Sequence, residues 1–515
     1  MWAIAIAAFA AATALGHATF SASITDASGY VAQAQGFVNG AVQRPVPLQL
    51  IPAVRDSGAA TSALGYRAGP ISGTEVPIYP LGLPLFMAAA ALVGGDLAPH
   101  AVAPLAFGAL ILCAFLLGRE LGGDAAGICA ALFIAANPVG ILYSVYPMSD
   151  VPAAACWAGV WYLAARSTSG AALTAGTLVT AATLIRPNLA PLALVPAVVL
   201  LRGCLRSAPA ASRYRPVLLF GVAGLVGPAL LLAFQAAING SGLQPGYSGW
   251  ETFFKASNIS DNIRTYPRMF VAVFGYWPFI GLAFAAFVHM RRPASSMART
   301  LTYSGLAMAA LNVALYIAYI PYDYWGFLRF LLPAIVVILV LAAVGVTGVV
   351  STLWPPASSR RLALAIPIAV VLVAWPGRDE LAFALSEWIS HARIPKMGLY
   401  LKEVLPPQAV ALAFLHGGAI SHYTGHNVVS VEGLDRSKLE VLIADLERNG
   451  CHPVFVVDEA LEESAFQAAF PTSTFARLDW PPRAIFVGTT RIRYFVAADR
   501  ARFIAGERWP IDVLR

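Results

Sequence analysis

Apolar runs broken by short basic turns fill the first three quarters of the chain. The first covers residues 1–20, and others lie near 99–118, 124–147, 151–165, 170–185, 188–201, 216–238, 270–290, 300–320, 327–350 and 361–375. A helix needs about 20 apolar residues to cross a bilayer, so the pattern predicts an α-helical polytopic membrane protein. The run at 79–93 is short and carries Pro80 and Pro84, which predicts a re-entrant or partial crossing. Arg119, Arg166, the Arg202/Arg206/Arg213/Arg215 group, Arg291/Arg292/Arg299 and Arg360/Arg361 can all share one face. The positive-inside rule makes that face cytoplasmic, with about 11–13 spans, the N-terminus inside and the C-terminus outside.

The pattern changes near residue 377. Apolar stretches shorten to strand length at 409–415, 427–431, 453–457, 484–487 and 491–496. Between them, 435–448 reads as a helix with a Ser437-x-x-Glu440 capping box and Gly450 past its end. A second helix, 459–470, follows Asp458 as its cap. Strands alternating with helices predict a small extracytoplasmic α/β domain at 377–515. Residues 1–376 then form a transmembrane domain whose first outside loop is 21–78, long enough to predict a function for it.

Composition agrees with the pattern. Hydrophobic residues make up 58% and charged residues 12%, about half the charge of a soluble domain. The net charge of +7 is almost wholly arginine in the short loops, which suits membrane topology and argues against nucleic-acid binding. The five cysteines form no disulfide, zinc or redox pattern. No Lys or Arg precedes the first apolar run, so it reads as an uncleaved anchor rather than a signal peptide. Ala- and Arg-rich usage suggests a GC-rich bacterium, hence its inner membrane.

Candidate chemistry collects at span ends on the outside face. Asp26 follows the first run and begins an amphipathic segment with Tyr30, Ala34 and Phe37 at helical spacing. A carboxylate at that depth is costly, and such placements are usually functional. Glu75 and Asp150 end up on the same side; one acid could accept a proton while others hold a sugar or a divalent cation. Helix capping is the alternative, and Asp150 suits it. Arg186, Arg264, Arg268 and Arg329 run against the charge rule. Arg329, after Tyr316, Tyr319, Tyr322, Tyr324, Trp325 and Phe327, suits bidentate phosphate binding, with interfacial anchoring as the alternative; Lys255 could supplement the arginines. His416, His422 and His426 fit no standard zinc spacing, and there is no Walker, G-x-G-x-x-G, G-x-S-x-G or H-E-x-x-H motif.

The order of these pieces resembles the bacterial glycosyltransferases of the GT-C membrane fold, in the protein O-mannosyltransferase-like and lipid A aminoarabinose transferase-like group. The likeness is carried by Asp26-x-x-x-Tyr30, Tyr79-Pro80-Leu81-Gly82-Leu83-Pro84, Asn137-Pro138, Met148-Ser149-Asp150-Val151-Pro152, Arg186-Pro187-Asn188 and Tyr324 through Arg329 into Pro333. It implies a polyprenyl-phosphate-linked sugar donor, transfer on the extracytoplasmic side with inversion, and Asp26 as general base. Tyr30, Glu75 and Asp150 would shape the acid site, and the lipid, glycan or protein acceptor is open. Many members carry a second acid after the first where this chain has Ala27, so a divalent metal is not carried over. A carrier or flippase of lipid-linked sugars, and a non-catalytic envelope assembly protein, are the alternatives. A carrier predicts repeats and broken helices at the bilayer midplane.

Overall fold

A computed structural model describes residues 1–23, 25–51, 54, 65–166, 168–206, 211–243, 246, 249–291, 295–353, 371, 375–431 and 434–515. Most of the expected run at 361–375 lies outside them. The first apolar run forms the helix Trp2–Gly16, whose Ala7, Ala10 and Ala14 are buried. These small residues let it lie against Val102–Gly122, where a Cβ on Gly108 would come within 3.3 Å of the Ala7 carbonyl. Close backbone approach of this kind substitutes for the hydrophobic drive that lipid does not supply. The same device recurs between Ser169–Ile185 and Arg215–Asn239, where a Cβ on Gly176 would meet the Phe220 carbonyl at 2.5 Å.

Among the described residues, four helices are long and apolar enough to cross a membrane: Ala98–Gly122, Pro187–Arg206, Ser212–Asn239 and Trp325–Thr352. Two bent pairs raise the number to six, Asp124–Ala135 with Pro138–Val145 and Ala256–Phe274 with Trp277–His289. The expected spans, about 11–13, are thus drawn from a bundle of helices of unequal length. Asn137-Pro138 makes one break, where the Asn137 side chain accepts a hydrogen bond from the Val139 amide. The 79–93 run gives the helix Gly82–Gly94, 13 residues and too short to cross unaided.

Among the described residues, two sheets lie outside the bundle. In the first loop, β1 (Arg44–Pro45), β2 (Tyr66–Ala68) and β3 (Thr74–Pro77) form an antiparallel sheet in the order β1-β3-β2. The tail carries β4 (Ala409–Ala413), β5 (Asn427–Ser430), β6 (His452–Asp458), β7 (Ala484–Val487), β8 (Arg491–Val496) and β9 (Asp512–Leu514), in the order β5-β4-β6-β8-β7-β9. Pairing is parallel across β5-β4-β6, antiparallel through β8, and parallel again from β7 to β9. Both faces are covered: Val410, Leu412, Phe455 and Val457 enter one core, and Ala411, Ala413, Val454 and Val456 the other. Val46, Leu48 and Val54 of the first loop pack into the former, so that loop completes the tail's core.

Three local expectations are corrected. The helix expected at 435–448 is Leu439–Arg448 and has no capping box, because Ser437 bonds to Asp435 while Glu440 accepts from the Thr474 amide at 2.6 Å. The helix expected at 459–470 is Glu463–Ala469, since Asp458 Oδ1 first ties down the Ala460 and Leu461 amides in a turn. The helices Arg378–His391, Arg393–Val404 and Gly417–Thr424 join the bundle to the sheet and were not expected.

Candidate active site

Asp26 sits in the first turn of the helix Thr25–Val38, where its charge suits the positive end of the helix dipole. Its Oδ1 accepts the Tyr79 hydroxyl at 2.9 Å, and its Oδ2 meets Arg329 Nη2 at 3.0 Å. Tyr79 reaches it because Gly29, one turn on, has no side chain. A Cβ there would stand 2.2 Å from the Tyr79 ring and 2.9 Å from Gly65 Cα. Gly65 itself has φ +96°, a conformation that favours glycine. Tyr30 stacks obliquely on Tyr79 and donates to Ser149 Oγ at 3.1 Å, which ties the helix to the start of the next element.

That element is the helix Asp150–Ala164. Ser149 occupies the cap position, and the Asp150 side chain, 1% exposed, pairs with Arg186 Nη1 instead of capping. Arg186 closes the following helix, Ser169–Ile185, so an antiparallel pair of helices brings the two residues to one end. Arg329 lies in the short 3-10 helix Trp325–Leu331. One nitrogen faces Asp26, another stands 3.8 Å from Asp150 Oδ2, and the guanidinium lies over the Phe330 ring at 5.0 Å. Two carboxylates and two guanidiniums therefore share one cluster whose formal charges cancel.

The cluster forms the floor of a cavity of about 520 Å³. Asp26, Tyr30, Tyr79, Ser149, Arg186 and Arg329 line its polar side, with Asp150 behind the arginines. Tyr316, Tyr319, Tyr322, Phe327 and Phe330 also line the cavity, the two phenylalanines against the guanidiniums, while Leu231, Phe234 and Ile238 of Arg215–Asn239 form an apolar flank. The helix Arg215–Asn239 is mostly exposed along its length, and these three residues belong to the more buried face that it turns toward the cavity.

Four expected residues stand apart from this cavity. Glu75 is buried on β3 and paired with Arg44 Nη2 at 2.7 Å, beside the first-loop sheet rather than the cavity. Lys255 begins the turn Ala256–Asn258, its amide bonded to the Ala318 carbonyl. Arg264 and Arg268 line a separate shallow depression of about 360 Å³, where Arg268 pairs with the exposed Asp323; Tyr322 is shared by both hollows. Tyr79 and Tyr316 were not expected as site residues. The Tyr79-Pro80 pair was the available signal, since proline fixes the chain just after the tyrosine.

The donor set does not fit a divalent cation. Asp26 and Asp150 each give an oxygen to a guanidinium, Glu75 gives one to Arg44, and Ala27 follows Asp26. A dication would share the floor with two fixed positive charges. Among the described residues no three His, Cys, Asp or Glu side chains group as metal ligands. The tail histidines are separate: His426 bonds to the Pro406 carbonyl, His416 lies 3.8 Å from Asp458, and His422 packs on Tyr423. Burial first, then Arg44, lowers the His422 pKa to about 4, so it is neutral at physiological pH.

Compared by sequence, the chain matches no family model and no curated protein. Compared by structure, it is similar to ArnT from Cupriavidus metallidurans bound to undecaprenyl phosphate, with a TM-score of 0.59 and 12% identity over 96% of this chain and 98% of that one. It is also similar to the oligosaccharyltransferase AglB from Archaeoglobus fulgidus, in complex with an inhibitory peptide and a dolichol-phosphate. That match has a TM-score of 0.54 and 12% identity over 96% of this chain and 74% of that one. The chain has the GT-C fold of membrane glycosyltransferases, with a small α/β domain at its C-terminal end.

Proposed function

We propose that this protein is a membrane glycosyltransferase that moves a sugar from a polyprenyl-phosphate-linked donor to an acceptor on the outer face of the inner membrane, with inversion. The observation that carries the reading is the Asp26–Arg329 pair on the floor of a cavity with an apolar flank. The fold supports it, since two proteins that share it were captured with a polyprenyl or dolichyl phosphate.

In this mechanism the donor phosphate docks on Arg329 and Arg186, with its lipid chain along Leu231, Phe234 and Ile238. As the bond from the anomeric carbon to the phosphate oxygen breaks, its electron pair stays on the phosphate. Negative charge grows there, and fixed guanidiniums stabilise it. The acceptor hydroxyl attacks the opposite face of the sugar and loses its proton to Asp26, as an inverting reaction requires. Arg329 links the two events. The guanidinium that pairs with Asp26 is the one that meets the phosphate, so docking of the donor draws it from the carboxylate. Tyr79 keeps the carboxylate aimed throughout. The step needs no metal.

Purified protein in nanodiscs, supplied with undecaprenyl-phosphate-linked sugars and an extract of envelope acceptors, tests the proposal. A new glycosidic product together with released undecaprenyl phosphate is expected. Movement of the intact donor between leaflets without a new bond would identify a carrier instead.

A further inference from the structure

A second polar cluster lies behind the cavity and takes no part in the chemistry above. Tyr146 is 4% exposed, and its hydroxyl meets two side chains of the helix Arg378–His391. Glu387 Oε2 accepts from it, and His391 Nε2 lies 2.8 Å away. The two also stand 3.4 Å from each other, and the His391 ring stands edge-on to the tyrosine at 90°. A phenol has one proton. With that proton given to Glu387, His391 must offer its Nε2 hydrogen to the phenol oxygen. Its buried Nδ1 has no hydrogen-bond partner among the described residues, so Nε2 is the nitrogen through which the ring is held.

Packing alone does not account for this group. A phenylalanine would fill the same space without burying a carboxylate and an imidazole around one hydroxyl, which costs free energy unless all are paired. Its position along the chain suggests a role. Tyr146 opens the turn Tyr146-Pro147-Met148-Ser149-Asp150, tightened by Pro147 and by a bond from the Met148 amide to the Tyr146 carbonyl at 2.8 Å. Ser149 takes the Tyr30 hydroxyl, and Asp150 holds Arg186 and faces Arg329. One short turn is thus pinned on one side to the cavity floor and on the other to Glu387 and His391.

The anchoring helix is itself fixed at both ends. Ala384, Leu381 and Leu385 pack into the bundle core. Ser390 meets Thr489 at 2.6 Å, and Arg393, just past the helix, bonds to Asp458 at 3.0 Å and Thr490 at 2.7 Å in the tail sheet.

We propose that Tyr146, Glu387 and His391 are positioning residues that set the Asp150 carboxylate, and through it the two arginines, so that the tail domain is part of the frame of the site. The inference rests on the transferase reading. A small misplacement of oriented groups lowers turnover without abolishing binding. Tyr146→Phe should therefore lower kcat about tenfold, with a smaller change in donor KM and no loss of folded protein. Glu387→Gln, which keeps an accepting oxygen, should return most of the activity that Glu387→Leu loses. An unchanged kcat in Tyr146→Phe, or Gln and Leu variants equally impaired, overturns the proposal. Should wild-type protein form no product, the transferase reading fails by itself. The triad is then judged by thermal melts of Tyr146→Phe, Asp150→Asn and the double variant, where coupled effects support it and additive effects overturn it.

Discussion

One Asp–Arg cluster lies within the tail domain and another on the floor of the bundle cavity, and of the two only the second is a candidate for chemistry. In the tail, Asp458 Oδ2 accepts from Arg393 and Thr490, Oδ1 accepts from the Ala460 and Leu461 amides, and Glu462 takes the Asp458 and Leu415 amides. Both carboxylate oxygens are filled from within the domain. At the bundle end, Arg329 is divided between two acids, its Nε lacks a hydrogen-bond partner among the described residues, and the 27%-exposed Asp26 side chain faces open volume. A closed ion cluster fixes structure. An open one, with capacity left on the side of a cavity, can exchange partners with a ligand.

The sharpest way to break the comparison is Asp26→Asn. The amide keeps the shape and the Tyr79 contact but cannot take a proton, so transfer should fall by about 10²–10⁴ while the protein folds normally. Full activity in that variant, measured by product formation at saturating donor, would remove the base assignment. Next in size is Arg329→Gln, which leaves Asp26 and Asp150 short of a cation. Donor binding should weaken by about 10–100-fold in a titration with undecaprenyl phosphate, and among the described residues Asp150 keeps Arg186 as its partner while Asp26 keeps only Tyr79. Equal donor affinity in variant and wild type would leave Arg329 without a phosphate role.

How far the sequence announced this site depends on where each partner lies. Asp26 and Arg329 were visible singly, because each is a charge at the end of an apolar run, where charges are costly. The Asp150–Arg186 pair follows from two consecutive antiparallel helices, in which the start of the first and the end of the second come to one face. Glu75 could not be sorted from Asp26 by depth alone. What separates them is Arg44, which the two-residue strand β1 brings opposite Glu75, and strands that short leave no periodic signal. The aromatics from Tyr316 to Phe330 look the same in sequence whether they meet headgroups or line a cavity. The tail strands β4 to β8 were legible from their apolar runs. Glu440 was misread, because its true partner, Thr474, is 34 residues away and a capping box is judged on four.

A gentler perturbation keeps every charge and moves only the aim of the open cluster. In Gly29→Ala the new methyl group would lie 2.2 Å from the Tyr79 ring, forcing the ring and its hydroxyl off Asp26. Overpacking of this kind costs about 1–3 kcal/mol, and the lost alignment should reduce kcat about tenfold. Tyr79→Phe in the same background should add little, because the hydrogen bond is already gone. A further full drop on adding it would mean that Tyr79 acts by some other contact.

The smallest effect on transfer belongs to the closed cluster, and there pH is the probe. Burial alone raises the Asp458 pKa, but contacts from His416 and Thr490, the Leu461 amide and the Arg393 charge outweigh it and hold the group at about 2. The folded value is below the usual carboxylate value, so the native state binds this proton more weakly than the unfolded chain does. The resulting stabilisation, about 2 kcal/mol, is fully present above about pH 4, shrinks as pH falls, and is gone below about pH 2. Asp458→Asn removes it. Thermal melts should therefore show a gap between wild type and variant at pH 6 that narrows steadily from pH 4 towards pH 2. Arg393 keeps its contacts with Thr490 in the variant, so transfer per folded molecule at neutral pH should change least of all four substitutions. A gap that stays constant across that range would mean the Asp458 charge contributes nothing to the fold, and the contrast between a closed and an open cluster would lose its closed half.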